Sequence, residues 1–140
     1  NGTESHINNV QLGKHGRYRT NIWEYAGANA FSANRDEYLA MHPTVKPVAM
    51  IADAIRDCSN RQQIILDPFG GSGSTMVAAE RTNRQSRLIE LDPLYCDTII
   101  VRMEKTFGIE AVLKSSGQGF AATSSLRTVS NDEADRENAA

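Results

Sequence analysis

Cysteine is scarce in this chain, and the two present, Cys58 and Cys96, stand far apart without CxxC or CxxH spacing. That argues against a disulfide framework or a thiolate metal site, and both thiols read as buried or incidental. Long apolar runs are missing as well. No stretch approaches the roughly 20 residues of a spanning helix, and Asn1-Gly2-Thr3-Glu4-Ser5-His6 lacks the charged and apolar regions of a secretory signal. The expected location is cytoplasmic, with no membrane partner. An excess of positive charge is also absent: 15 Lys and Arg face 17 Asp and Glu, the net charge is −2 and the pI is about 5.9. The global signature of a nucleic-acid binder is therefore lacking.

What is present suits about one globular domain: 140 residues, 40% of them hydrophobic and 23% charged. The first residue is Asn rather than Met, which suggests a piece of something longer. Charge is unevenly spread. Lys14-His15-Gly16-Arg17-Tyr18-Arg19 is basic with an interleaved aromatic, and Asp132, Glu133, Asp135 and Glu137 make the C-terminus acidic.

Residues 1–40 show no sustained period, so an irregular segment with short strands at best is expected there. His42-Pro43-Thr44 looks like a helix entry, with Thr44 as cap and Pro47 in the first turn. Val48, Ile51, Ala52 and Ile55 follow at helical spacing, and Asp57 to Arg61 forms a polar end. The pattern predicts a buried strand over 63–67, a helix over 74–82, a strand over 86–90 and a helix over 95–107 that Gly108 stops. The last stretch, 111–140, is rich in Ser, Ala, Gly, Thr and charge and is expected to be a disordered tail. Two parallel strands alternating with helices mean a doubly wound α/β sheet. Two strands are too few for a stable sheet of that kind, so further strands are expected from the parent chain or another subunit.

The chemistry concentrates in Asp67-Pro68-Phe69-Gly70-Gly71-Ser72-Gly73-Ser74-Thr75, between the first strand and a small-residue helix. Gly71 and Gly73 lack a Cβ, so this turn can take positive φ and let backbone amides approach a ligand over the helix N-terminus. Glu90 follows Gly71 by nineteen residues, about where an acid accepts ribose hydroxyls in nucleotide-binding folds. A triphosphate cradle would need a Lys after the last glycine, and a dinucleotide loop would need a third glycine where Met76 stands. A plain structural turn is the remaining bland alternative. An adenosine ligand without phosphate fits better, because Asp67 can accept from an ammonium group but would repel a pyrophosphate.

Asp67 to Thr75 resembles the DPFxGSGTT motif of the DNA amino-methyltransferases, which act on adenine N6 or cytosine N4. His42-Pro43-Thr44-Val45-Lys46-Pro47 is similar to their HPTxKP signature, Ile89-Glu90-Leu91-Asp92-Pro93-Leu94-Tyr95 to their IELDPxY segment, and Asn21-Ile22-Trp23-Glu24-Tyr25 to the NxWxY segment ahead of them. The order matches the permuted, beta-class arrangement, in which the catalytic motif precedes the cofactor motif. Ser74 replaces the usual Thr and keeps the hydroxyl.

The resemblance implies a partial Rossmann-like, S-adenosylmethionine-dependent methyltransferase fold, of a restriction-modification type, in a prokaryote or phage. Residues 1–40 would end the DNA-recognition region, 41–110 would bind the cofactor and 111–140 would be the tail. Asp67, Phe69, Gly71 and Gly73 would line S-adenosylmethionine, with Ser74 and Thr75 near its amino-acid end, Lys46 and Thr44 reaching its carboxylate and Glu90 its ribose hydroxyls. Lys14, Arg17 and Arg19 would contact DNA phosphates. For Thr44 and Lys46 a helix cap and a surface lysine stay open as the structural alternative, and for the basic stretch a solvated loop.

The family's catalytic motif is (D/N)PP(Y/F), and Asp92-Pro93-Leu94-Tyr95 is a near copy in the wrong place. It follows the second strand, so Asp92-Pro93 reads as a helix cap with Pro at the first helical position and Tyr95 as packing. No catalytic residue is then expected in this chain. The implied partners are double-stranded DNA, an N-terminal catalytic part of the same protein and a second copy in a homodimer. The competing class is a non-catalytic S-adenosylmethionine-binding module.

Overall fold

The computed structural model describes residues 5–16, 18–26 and 45–126. The chain divides into two compact units, within 1–99 and 100–140. The first contains helix α1 (Val48–Cys58), strand β1 (Ile64–Asp67), helix α2 (Ser74–Arg81), strand β2 (Gln85–Leu88) and the start of helix α3 (Pro93–Phe107).

Helix α1 buries Ala52 and Ile55, and α2 buries Ala78 and Ala79 with no exposed surface; these four residues form a core cluster. Alanines at the contact leave little side chain between the helices, and the apolar spacing of α1 supplies the rest. Val48, Ile51 and Ile65 pack against this cluster. Pro47 occupies the N-cap position of α1 rather than its first turn, and no side chain caps the helix there. Thr44, the expected cap, and His42 lie outside the described residues.

The strands pair in parallel, Ile64 opposite Gln85 and Asp67 opposite Leu88. A parallel pair needs a crossover connection, and α2 provides it. The expectation of a buried β1 needs correction. Ile65 faces the core, but Ile64 and Leu66 are 61% and 66% exposed. Side chains alternate along a strand, and the described helices α1 and α2 cover the Ile65 side alone.

Strand β2 starts and ends earlier than the predicted 86–90, leaving Glu90 beyond its end. The pairing nevertheless continues past it, because Ile89 N donates to Asp67 O at 3.0 Å and Gly70 N to Ile89 O at 2.9 Å. Helix α3 starts at Pro93, two residues before the expected position, and Asp92 Oδ1 accepts from Leu94 N at 2.8 Å. Asp92 is thus an N-cap with proline at the first helical position.

Residues 5–16 and 18–26 contain no helix or strand. They are tied to α1 instead. Asn9 Nδ2 donates to Arg56 O and Ser59 O, each at 2.8 Å, and Asn9 N donates to Asp57 O at 2.9 Å. Further along, the Tyr25 hydroxyl donates to the Asp53 carboxylate.

In the second unit, Gly108 has φ 66° and its N–H donates to Glu104 O at 2.8 Å, which ends α3 as expected. The expected disordered tail begins at residue 111, yet 111–126 has local structure. Val112 and Gly119 form an antiparallel bridge, Leu113 N donates to Gln118 O at 2.8 Å, and residues 120–126 are helical. Composition underrates such a segment because a turn closed by backbone bonds, with Gly117 at φ 72°, needs little apolar burial. Residues 127–140 lie outside the described residues. Among the described residues no helix is long and apolar enough to cross a membrane, no cluster of His, Cys, Asp or Glu could hold a metal, and both cysteines are free thiols.

Candidate cofactor site

A cleft of about 440 Å³ opens at the C-terminal ends of β1 and β2, the end where parallel α/β sheets hold their ligands. Lys46, from the approach to α1, and Asp67, Phe69, Gly71, Ser74, Thr75 and Glu90 all line it. Seven sequence-predicted residues thus converge, although they span 45 positions of the chain. Gly70, Ser72 and Ile51 line it too and were not predicted. Gly70 and Ser72 belong to the recognised loop, whereas Ile51 carried the same apolar signal as the core positions of its helix.

The loop is held by hydrogen bonds among its own residues. Gly73 N donates to Gly70 O at 2.9 Å, and Asp67 Oδ1 accepts from Phe69 N at 3.0 Å. Gly71 and Gly73 sit at φ 52° and 74°, where a side chain is disfavoured. Gly73 has a second reason to be glycine, because a Cβ there would approach Ile99 Cγ1 and Cγ2 to 3.1 Å. Gly73 therefore serves packing and the turn; it is not among the cleft-lining residues, against expectation.

Glu90 is the hub of the cleft floor. Its Oε2 accepts from Gly71 N at 2.6 Å, and its Oε1 accepts from Leu91 N at 2.8 Å and Asp92 N at 3.0 Å. A carboxylate carrying several amide bonds is fixed in place. Phe69 is 85% exposed beside it. The cleft therefore offers two carboxylates, one ammonium group, hydroxyls at a helix N-terminus and an apolar ring. That set suits a ligand bearing an ammonium, a carboxylate, a diol and a flat heterocycle.

The other predicted contacts divide. Arg19 forms an ion pair with Asp57, and its guanidinium carbon lies 4.7 Å from the centre of the Trp23 ring. Lys14 is exposed, and Arg17 and Thr44 lie outside the described residues.

Comparison with known proteins agrees with this geometry. A family model described as DNA methylase matches residues 2–102. The type II methyltransferase M.ScaI of Streptomyces caespitosus is 33% identical over 89 residues, covering 64% of this chain and 29% of that protein. M.HpaI of Haemophilus parainfluenzae is 31% identical over 101 residues, covering 72% and 30% respectively. The chain thus spans about a third of the length of these curated relatives. Among solved structures, the M1.HpyAVI–SAM complex superposes with a TM-score of 0.53 and 26% identity over 70% of this chain and 43% of that one.

Proposed function

The chain belongs to the N4/N6 DNA methylase family, and from that we propose that it forms the S-adenosylmethionine-binding part of a DNA amino-methyltransferase acting on adenine N6 or cytosine N4. The observation that carries this reading is the joining of the Gly71 loop to Glu90 across the mouth of the two strands. When bound, the cofactor supplies an electrophilic sulfonium methyl group. Asp67 receives the ammonium group, Lys46 and Thr44, with Ser74 and Thr75, the carboxylate, Glu90 the ribose diol, and Phe69 borders the heterocycle. Opposite charges at Asp67 and Lys46 match a zwitterionic amino acid and disfavour a polyphosphate.

Methylating an exocyclic amine also requires a flipped base held with its NH₂ in line with the methyl group. No residue of this chain is assigned to that task. Asp92 and Tyr95 lie in the near copy of the catalytic motif, but Asp92 caps α3. The base-holding motif is placed upstream in a permuted parent, and DNA, that catalytic part and a second copy of the parent are the proposed partners, with Lys14 and Arg17 as phosphate contacts. The absence of a (D/N)PP(Y/F) motif from the sequence also leaves a second reading, a non-catalytic S-adenosylmethionine-binding module. A coding sequence extended upstream decides between them by the presence or absence of that motif.

Calorimetry with S-adenosylmethionine and its demethylated product tests the cleft. Binding by the wild type and its loss in a Gly71→Val, Glu90→Ala double variant is expected. Equal binding by both proteins would remove the assignment.

A further inference from the structure

The opposite end of the sheet carries a second cavity, of about 500 Å³, at the turns that precede β1 and β2. Arginines 56, 61, 81 and 84 line it together with Asn60 and Asn83, and no carboxylate does. In a chain of net charge −2 this is a strong local concentration of one sign. The walls are fixed. Gln62 and Asn83 adopt φ of 68° and 60°, and Gln62 N donates to Asn83 O at 2.7 Å, which locks one turn to the other.

Helix ends explain part of the charge. Arg84 is buried and donates through Nη2 to Ser59 O at 2.6 Å, through Nε to Ser59 Oγ at 3.1 Å and through Nη1 to Thr82 O. It thereby caps the carbonyl ends of α1 and α2, where a cation is favoured. Arg56 is held by Asp53 Oδ1 at 2.9 Å. Arg61 and Arg81 are exposed, and neither enters an ion pair among the described residues. The guanidinium of Arg84 is disfavoured first by its burial and then by the charges of Arg61 and Arg56, so these groups stand close enough to oppose one another.

We propose that this cavity is an oxyanion site that takes a phosphate group, free or in a nucleic-acid backbone, at the end of the sheet remote from the cofactor cleft. Guanidinium forks pair with phosphate oxygens bidentately, an anion between them would turn mutual repulsion into attraction, and the open cavity admits a phosphate that is part of a longer chain. The site stands whether or not the cleft binds S-adenosylmethionine.

Backbone amide NMR on the chain, titrated with inorganic phosphate against a chloride control and then with a short DNA duplex of unrelated sequence, tests it. Phosphate should shift the amides of residues 60–62 and 82–84. Arg61→Gln with Arg81→Gln should weaken binding by about tenfold or more, with melting temperature and S-adenosylmethionine binding unchanged, because both side chains are exposed. Competition by the duplex, falling steeply with salt, assigns the site to a nucleic-acid backbone, and its absence assigns it to free phosphate. No phosphate-dependent shift at those amides in the wild type, or equal affinity in the double variant, would overturn the proposal.

Discussion

Glu90 Oε2 accepts a hydrogen bond from Gly71 N at 2.6 Å, joining the loop after β1 to the segment after β2. The same carboxylate orders the loop and is the group proposed to hold the ribose diol. Its removal therefore acts on stability and binding together. Glu90→Ala should cost about 2 kcal/mol of folding free energy, since bonds to a charged acceptor are lost, and abolish cofactor binding. Denaturant unfolding and calorimetry check the two effects separately, and unaltered stability would contradict the hub role.

Gly73 is held by two constraints, its φ of 74° and the 3.1 Å approach of Ile99 to the place of a Cβ. Gly73→Ala should destabilise by about 1–3 kcal/mol. Measured against Ile99→Ala alone, which removes both Cγ atoms that meet the added Cβ, Gly73→Ala should still carry most of that cost, because the contact is relieved but not the backbone. Full recovery would show that packing alone sets the glycine.

Asp92 caps α3, so its substitution is expected to act on stability rather than turnover. Asp92→Ala should cost about 1 kcal/mol, whereas Asp92→Asn keeps a capping oxygen and should be nearly silent. In the proposed parent methyltransferase Asp92→Asn should retain most methyl transfer. A collapse of kcat with folding and cofactor affinity intact would move the catalytic motif into this chain.

Tyr25 and Asp53 couple the N-terminal segment to pH. The Tyr25 hydroxyl bond, helped by Arg56, holds the Asp53 carboxyl below its ordinary 3.8, and the same bond raises the Tyr25 phenol above 10.0. For Asp53 the folded-state pKa is depressed, so its contribution is present above about pH 4 and is lost as pH falls through the lower folded value. For Tyr25 the folded-state pKa is raised, so its contribution is present below about pH 10 and is lost as pH rises through the higher one. Tyr25→Phe should flatten both limbs of a stability profile measured by thermal melting. Unchanged limbs would show that this bond does not form in solution.

Much of this protein is decided locally. The apolar spacing of Val48, Ile51, Ala52 and Ile55 makes a helix with one buried stripe, and Asp92-Pro93 starts another because capping chemistry is contained in adjacent residues. The loop from Asp67 to Thr75 is legible for the same reason: it needs positive φ at Gly71 and Gly73, and glycine is the residue type that supplies it without strain. Contacts between distant positions are not contained in any window. Only the folded chain pairs Glu90 with Gly71, turns Ile64 and Leu66 to solvent, binds Arg19 to Asp57, and gathers Arg56, Arg61, Arg81 and Arg84 around one cavity. Local stretches set backbone preference and periodicity; charge and burial depend on which turns the parallel pairing of β1 and β2 brings to the same end of the sheet.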